Sequence, residues 1–333
     1  MTTNPELQLV ILTHSLPEEW LRSLEGKCRI VRGPWDATHF DPALEPYLDQ
    51  AEGLFCLLTI KVNQELLDRA PRLRVISNMA VGYDNIDVAE CTRRSIPVGF
   101  TPGVLTDATA DLAMALMLAM ARRLPEASQD ARNGKWKTWS PAGWLGADLN
   151  GATLGIVGMG KIGQAVAKRA HGFGLQIIYT DAYRLPPESE QQLQVTWKPF
   201  DELIETSDLI SIHVPLTPQT RGLFGSEQLR RMKSTAILVN TARGAVVQTN
   251  ALLKALQENW IAGAALDVTD PEPLPADHPL YTLSNCLIVP HIGSATRNTR
   301  RRMAELACEN LLAGLENKPL PNCVNPEVYQ AKQ

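Results

Sequence analysis

The chain has 333 residues, 44% of them hydrophobic and 20% charged, and its formal net charge is −4 at pH 7. This composition is typical of a folded globular protein long enough for two domains. The negative charge argues against a nucleic-acid partner, and the longest apolar helix candidate, 112–121, is too short to span a bilayer. We therefore expect a cytoplasmic protein, with an organelle matrix as the alternative, that binds neither nucleic acid nor membrane.

The six cysteines are scattered along the chain without a C-x-x-C pair. This spacing predicts neither a disulfide framework nor a zinc site. The acidic residues of segment 267–277 lie in a proline-rich loop, where carboxylates are usually solvated. We therefore expect no metal site.

The first hundred residues alternate short apolar segments with helical ones. Strands are predicted at 9–13, 54–59 and 75–78, and helices from Pro17 and around 62–69. This alternation predicts a small α/β unit.

A long buried helix is predicted from Thr106, because the segment 106–123 is rich in Ala, Leu and Met and begins with a Thr/Asp cap. The region that follows, 125–150, contains three tryptophans in a polar loop. Aromatic residues on such a loop favour a subunit interface, and packing within the chain is the alternative.

Six further apolar runs alternate with helical or loop segments, and this alternation predicts a doubly wound parallel sheet. The predicted strands are 154–157, 177–180, 209–214, 236–240, 262–266 and 287–289. His213, inside the third of these, is interpreted as a buried, hydrogen-bonded core residue.

The first of these strands ends in a glycine turn that runs directly into a helix. Gly158 allows the tight turn, Gly160 lets the backbone approach a phosphate, and Gly163 lets the helix pack against the strand. Asp181 ends the next strand, at the position of a carboxylate that accepts hydrogen bonds from an adenosine ribose. The pattern predicts a dinucleotide site, and the alternative is a glycine-rich loop that binds nothing.

Asp181 also bears on the choice of cofactor. A carboxylate beside the ribose 2′-hydroxyl repels the additional phosphate of NADPH, so NADH is favoured. Arg184 lies three residues further on and would offset this repulsion, which keeps NADPH as the alternative.

Three side chains are candidates for carbonyl reduction. Arg243 follows a strand, at the end of a parallel sheet where ligands bind, and its guanidinium can grip a carboxylate in a bidentate manner. His291 follows another strand and is the natural acid/base. Glu272, between two prolines, would orient the imidazole and hold its proton available.

Several motifs together carry a family resemblance. They are the glycine turn and segments 81–87, 101–111, 240–247, 266–275 and 290–296. With these motifs the chain resembles the D-isomer-specific 2-hydroxyacid dehydrogenase family over essentially its whole length, and within that family it is most similar to the glyoxylate/hydroxypyruvate reductases.

The resemblance implies roles for individual residues. Arg243, Glu272 and His291 would be catalytic. Val81 and Gly82 would bind the substrate carboxylate through backbone N–H groups, beside Arg243, and Leu58 and Trp139 would bound the pocket. The cofactor would contact the glycine turn, Asp181 and the following residues: Thr109, Lys161, Ile162, Pro215, Thr220, Thr241, Asp267, His291 and Gly293.

The resemblance also implies an architecture of two Rossmann-like doubly wound domains. Residues 1–103 and 296–333 would form a discontinuous substrate domain, and residues 104–295 the dinucleotide-binding domain. The loop 125–150 would form a homodimer in which Trp139 reaches the partner's active site.

The implied activity is the NADH- or NADPH-dependent reduction of glyoxylate to glycolate and of hydroxypyruvate to D-glycerate, with His291 as proton donor. Two alternatives stay open. One is a dehydrogenase of the D-lactate type, acting on another 2-oxo acid. The other is an NAD-sensing protein similar to the corepressors that share this fold.

Overall fold

The computed structural model describes residues 7–332. The chain forms two compact units, unit 1 (Met1–Leu105 with Thr296–Gln333) and unit 2 (Thr106–Ala295). These divisions lie two residues from the first boundary expected from the sequence and coincide with the second.

Unit 1 contains a parallel five-stranded sheet with the order β2-β1-β3-β4-β5. Its inner strands are fully buried and mostly apolar, which is the usual pattern of a parallel sheet covered on both faces. The strands are β1 (Leu9–Leu12), β2 (Arg29–Arg32), β3 (Gly53–Cys56), β4 (Val75–Asn78) and β5 (Val98–Gly99).

The helices of unit 1 begin at side-chain caps that the sequence supplies. Asn63 and Asp87 accept from the backbone N–H groups of Leu66 and Glu90 at 3.1 and 2.9 Å. These caps open α1 (Gln64–Asp68) and α2 (Val88–Arg93), and α10 (Arg297–Leu315) closes the unit. The helix predicted from Pro17 is instead two short 3-10 helices, Glu18–Trp20 and Arg22–Leu24.

The segment after α10 returns to the edge of the unit 1 sheet. Val324 donates its backbone N–H to the Val98 carbonyl at 2.8 Å, and Asn325 accepts from Val98 N–H at 2.8 Å. Both Asn325 and Asn310, which lies on α10, are fully buried. The final residues therefore complete the unit 1 edge at β5.

A buried histidine joins the carboxyl ends of β1 and β3. His14 is 4% exposed, and its Nε2 lies 2.8 Å from the Ala37 carbonyl oxygen. The Thr59 hydroxyl lies 3.2 Å from the same nitrogen and donates to Ala37 O at 3.1 Å. Burial lowers the pKa of His14, so the ring is neutral near pH 7.

Unit 2 contains a parallel seven-stranded sheet with the order β12-β11-β10-β9-β6-β7-β8. Together with the unit 1 sheet, it confirms the predicted α/β fold with two doubly wound sheets. The strands are β6 (Thr153–Val157), β7 (Gln176–Thr180), β8 (Val195–Trp197), β9 (Leu209–Ile212), β10 (Ile237–Asn240), β11 (Gly263–Leu266) and β12 (Cys286–Ile288).

Helices cover the unit 2 sheet. The longest, α3, packs against α5, β10 and β11, and its methionines 114, 117 and 120 are buried in the core. The helices are α3 (Thr106–Ala121), α4 (Leu124–Arg132), α5 (Lys161–Ala170), α6 (Pro187–Leu193), α7 (Phe200–Thr206), α8 (Ser226–Arg231) and α9 (Thr249–Gln257). Within residues 7–332, no helix combines the length and hydropathy needed to cross a bilayer.

Candidate cofactor and catalytic site

The predicted site residues of unit 2 cluster at the carboxyl ends of its parallel strands. The sheet order reverses between β6 and β9, where strands on either side connect in opposite directions. Such a switch point opens a crevice at the carboxyl edge of a doubly wound sheet, and ligands bind there.

The glycine turn leaves one open position between two crowded ones. Gly158 has φ +98°, and a methyl group there would lie 2.7 Å from the carbonyl carbon of His213. A methyl group at Gly163 would lie 2.2 Å from Gly158 O, whereas one at Gly160 would meet no atom within 4 Å. Gly158 and Gly163 are therefore needed for packing, and Gly160 faces free space.

The helix that follows this turn begins without a side-chain cap. Gly160 is the N-cap residue of α5, and no side chain accepts a hydrogen bond there. Lys161 and Ile162 are its first residues, with Lys161 exposed. Uncapped N–H groups at a helix N-terminus bind anions, so this turn fits the pyrophosphate of a dinucleotide.

Asp181 lies immediately after β7 and contacts the glycine turn. Its Oδ2 accepts from the backbone N–H of Met159 at 2.6 Å, and its Oδ1 accepts from Tyr183 N–H at 3.0 Å. A carboxylate has about four acceptor positions, so both oxygens can still accept from ribose hydroxyls. The negative charge is therefore held beside the turn.

Arg184, the residue that would offset this charge, is paired elsewhere. Its Nε and Nη2 donate to the two carboxylate oxygens of Glu190 at 2.8 and 2.9 Å. Glu190 lies on α6. The guanidinium is therefore held toward α6.

His291 and Glu272 form a close hydrogen-bonded pair. The Nδ1 of His291 lies 2.5 Å from Glu272 Oε1, while Glu272 Oε2 accepts from the backbone N–H of Thr269 at 3.3 Å. The contact fixes the ring orientation and directs Nε2 away from the carboxylate. This is the arrangement of an imidazole acid/base oriented by an acidic partner.

The loop that carries His291 is fixed by a buried aspartate. Asp267 is 2% exposed, and its two oxygens accept from Ile292 N–H at 2.6 Å and Gly293 N–H at 2.9 Å. Burial raises the pKa of Asp267, while these N–H groups and His291 oppose that rise. A methyl group at Gly293 would lie 2.9 Å from Asp267 Oδ2, so a side chain there would disturb the contact.

Thr109, on α3, contacts the same loop. Its hydroxyl donates to the Gly293 carbonyl at 3.3 Å, and the residue is buried. His291 has φ +51°, a left-handed conformation that costs a residue with a side chain about 1 kcal/mol. The Asp267 and Thr109 contacts hold this strained position.

Arg243 lies in a turn that Asn240 shapes. Asn240 is fully buried at the end of β10, donates to Arg243 O at 2.9 Å and accepts from Ala242 N–H at 3.0 Å. A methyl group at Gly244 would lie 1.9 Å from Thr269 O, so the turn touches the segment that leads to Glu272. Asn240 is not among the residues predicted from the sequence to form the site, although a lone amide ending an apolar strand is a signal for such a role.

The half-buried His213 lies just beyond β9, which ends one residue earlier, and this position corrects its assignment to the strand core. Its Nε2 lies 2.8 Å from the Ser211 hydroxyl and its Nδ1 3.4 Å from that of Thr241. Burial lowers the pKa of His213 to about 4. The ring is therefore neutral near pH 7, behind the backbone that touches Gly158.

Two predicted cofactor residues lie in the loop that follows His213. The Thr220 hydroxyl donates to the Pro215 carbonyl at 2.6 Å, which closes this loop on itself. Pro215 and Thr220 thus lie beyond the carboxyl end of β9, and Thr241 follows directly after the adjacent strand, β10. The structure thus brings the unit 2 candidates to one sheet edge.

The remaining candidates lie elsewhere in the chain. Leu58, 37% exposed, follows β3 of unit 1, and Val81 and Gly82 follow β4, where Asn78 Nδ2 donates to Gly82 O at 3.0 Å. Trp139 lies in the segment after α4 and is 81% exposed. These positions neither test nor contradict a substrate role.

No group of three or more His, Cys, Asp or Glu side chains that could hold a metal ion occurs in the described part of the chain. The described cysteines carry free thiols.

The family comparison matches residues 114–293 to the model described as D-isomer specific 2-hydroxyacid dehydrogenase, NAD binding domain. Two similar relatives are named glyoxylate reductase. That of Korarchaeum cryptofilum is 48% identical, with 97% of each chain covered. That of Thermococcus litoralis is 49% identical, with 96% of this chain and 97% of the relative covered.

Solved structures of similar proteins match this fold over almost the whole chain. The TT0316 protein of Thermus thermophilus has a TM-score of 0.88 at 48% identity, covering 95% of this chain and all of that one. An NADPH-dependent glyoxylate/hydroxypyruvate reductase of Sinorhizobium meliloti, with NADP and malonate bound, has a TM-score of 0.83 at 30% identity, covering 96% and 98%. A D-lactate dehydrogenase of Aquifex aeolicus, with NAD and lactic acid, has a TM-score of 0.83 at 28% identity, covering 94% and 98%.

Proposed function

Because the chain belongs to the D-isomer-specific 2-hydroxyacid dehydrogenase family, with a domain that fits a nicotinamide cofactor, we propose that it reduces glyoxylate to glycolate and hydroxypyruvate to D-glycerate. The names of its relatives favour glyoxylate among the small 2-oxo acids. The observation that carries the proposal is the 2.5 Å contact between His291 Nδ1 and Glu272 Oε1.

In this proposal His291 is the proton donor. When bound, the reduced nicotinamide supplies a hydride to the keto carbon, and His291 Nε2 gives its proton to the oxygen. Glu272 holds the ring in the orientation that presents Nε2 and stabilises its positive charge before transfer. The contacts of Asp267 keep the His291 backbone in place throughout.

Arg243 is the proposed cation for the acidic substrate. Its planar guanidinium can grip a carboxylate or polarise the keto oxygen, and the buried Asn240 fixes the turn from which it projects. We assign the backbone N–H groups of Val81 and Gly82 to the substrate carboxylate, with Leu58 limiting substrate size.

NADH is the proposed cofactor, and NADPH is the alternative. The charge of Asp181, held beside the glycine turn by Met159 N–H, disfavours a 2′-phosphate. The solved relatives include both an NADP complex and an NAD complex, so the fold alone does not determine which of the two cofactors is preferred. Replacing Asp181 by Asn should narrow the gap in kcat/KM between the two cofactors about tenfold, which corresponds to one removed charge contact.

A homodimer is the proposed assembly. The segment 125–150 presents Trp136, Trp139 and Leu145 with 65%, 81% and 65% of their surface exposed. Large apolar side chains exposed together on one segment are typical of an interface. Trp139 would reach the partner's substrate pocket.

Steady-state oxidation of NADH and NADPH tests the proposal directly. The purified protein is assayed with glyoxylate, hydroxypyruvate, pyruvate and phenylpyruvate, and loss of absorbance is followed. We expect the highest kcat/KM with NADH and the first two acids. Preference for pyruvate or phenylpyruvate would replace the substrate assignment by a D-lactate-type enzyme, and tight NADH binding without turnover would favour an NAD sensor.

A further inference from the structure

A charged pair beyond Asp181 joins the loop that follows β7 to helix α6. Arg184 and Glu190 form a bidentate pair in which both carboxylate oxygens accept from the guanidinium, at 2.8 and 2.9 Å. The Arg184 side chain is 60% exposed, but that of Glu190 is only 13% exposed. The carboxylate is therefore the fixed member of the pair and the arginine the member that could move.

Glu190 is itself fixed by a residue of the sheet. Tyr179, fully buried on β7, donates its hydroxyl to Glu190 Oε1 at 2.7 Å and accepts from Leu185 N–H at 2.9 Å. Burial and the neighbouring Glu190 raise the pKa of Tyr179 to about 12, so it keeps its proton. Hydrogen bonds from Arg184 and Tyr179 lower the pKa of Glu190 to about 2, so it stays ionised.

An aromatic ring adds a further contact to the arginine. The Arg184 guanidinium carbon lies 5.6 Å from the centroid of the Trp197 ring on β8, within the range of a cation–π contact. Both contacts hold the guanidinium on the side of α6 and β8.

An unrestrained Arg184 would be suited to bind a phosphate. It lies three residues beyond Asp181, at most about 11 Å of extended chain, and the arginine fork matches phosphate geometry. Tyr183 N–H bonds to Asp181 Oδ1 at 3.0 Å, which folds the intervening chain back on the aspartate.

We propose that Glu190 is a cofactor-specificity residue that keeps Arg184 away from a 2′-phosphate. This inference rests on the proposed preference for NADH and adds a second determinant to it. Asp181 repels the phosphate, and Glu190 occupies Arg184, a nearby cation that would attract it. Discrimination between the two cofactors then depends on a residue of α6 that contacts neither.

Calorimetric measurement of the affinities for adenosine 2′,5′-bisphosphate and for ADP tests this proposal without relying on turnover. We compare the wild-type protein with Glu190→Gln, Glu190→Gln/Arg184→Ala and Glu188→Gln. The glutamine can still accept from Tyr179, and Glu188, exposed on the same helix, controls for loss of one negative charge.

Glu190→Gln should bind the 2′,5′-bisphosphate about three- to tenfold more tightly, with ADP binding nearly unchanged. The double variant should lose that gain, and Glu188→Gln should resemble the wild type. An equal gain in Glu188→Gln, a gain that survives removal of Arg184, or no gain in Glu190→Gln would each overturn the inference. Failure of the proposed function appears separately, as absent or misdirected turnover in the steady-state assay.

Discussion

Both units of this chain contain a parallel sheet with a switch point, but the residues at the two switch points differ. In unit 1 the strand order reverses between β1 and β3, and in unit 2 between β6 and β9. The unit 1 position is filled by His14, which hydrogen-bonds Ala37 and lies against the Thr59 hydroxyl. The unit 2 position is a glycine turn, with free space at Gly160.

This difference shows that the architecture alone does not decide which sheet binds a nucleotide. Both sheets bring strand ends to a common edge, but only one leaves uncapped helix N–H groups beside a residue without a side chain. A buried imidazole at the equivalent place in unit 1 instead contacts the Ala37 carbonyl and the Thr13 and Thr59 hydroxyls. The first turn after the first strand therefore determines the role of each unit.

The largest expected effect comes from His291, because the proposed proton transfer takes place in unit 2. His291→Asn should lower kcat by about 10²–10⁴-fold, since it removes the acid/base, while Asn tolerates the left-handed backbone at φ +51°. NADH binding, measured by fluorescence titration, should be nearly unchanged. Wild-type turnover in this variant would remove His291 from the mechanism.

The next largest effects distinguish Gly158, where a side chain would clash, from Gly160, where a side chain would meet no atom. Gly158→Ala should destabilise the protein by about 2–4 kcal/mol, because a side chain at φ +98° is strained and would crowd His213. Gly160→Ala should leave stability nearly unchanged but weaken NADH binding about tenfold, because its methyl group would enter the free space. Urea unfolding and NADH titration of both variants measure these values; equal NADH affinity in Gly160→Ala and wild type would contradict the assignment.

A smaller effect is expected in unit 1. His14→Leu removes a buried hydrogen bond to Ala37 and should lower the free energy of unfolding by about 1–3 kcal/mol. His39→Leu, at an exposed position of the same unit, is the matched control and should have little effect. NADH affinity should be retained in both, and its loss in His14→Leu would show that the filled switch point also serves the cofactor.

The smallest effect is a pH dependence of stability from His213. Its folded-state pKa of about 4 lies below the ordinary value of 6.5, so between these pH values the unfolded chain takes up a proton that the folded protein does not. Stability from this group is therefore complete above pH 6.5 and falls as the pH is lowered toward 4, by about 1–2 kcal/mol at pH 5. His213→Gln should lose less stability than the wild type between pH 7.5 and pH 5 in urea unfolding; identical losses would contradict the burial effect.

The sequence predicted the buried strands well, but of the four edge strands within residues 7–332 it predicted only β12 (Cys286–Ile288). Continuous apolar runs such as Leu9–Leu12 are unambiguous because both faces are covered. Arg29–Arg32 and Val195–Trp197 were not predicted, since both lie at sheet edges, where short, partly exposed strands have a weaker apolar pattern. The two-residue strand Val98–Gly99 has too few side chains to form a pattern.

The candidate site shows a similar division. The positions of His291, Arg243 and Asp181 at strand ends could be predicted because each follows an apolar run in a strand–helix alternation. The contacts of His14 could not, because only tertiary folding brings it near the Ala37 carbonyl and the Thr59 hydroxyl. Those of Asn240 are local in the chain, to Ala242 and Arg243, and its place at the end of an apolar strand is a signal for them. The pairing of Arg184 with Glu190 also could not be predicted, because it depends on the tertiary contact that holds Glu190 of α6 beside Tyr179 of β7.

The return of the final segment to β5 has a consequence for biosynthesis. Unit 2 is encoded as one uninterrupted stretch, Thr106–Ala295, whereas unit 1 needs the residues from Thr296 onward to bury its sheet. As the chain leaves the ribosome, unit 2 can fold before α10 has been synthesised. The apolar residues of the unit 1 sheet remain uncovered until then. We therefore expect nascent unit 1, although translated first, to be the half that relies on chaperones.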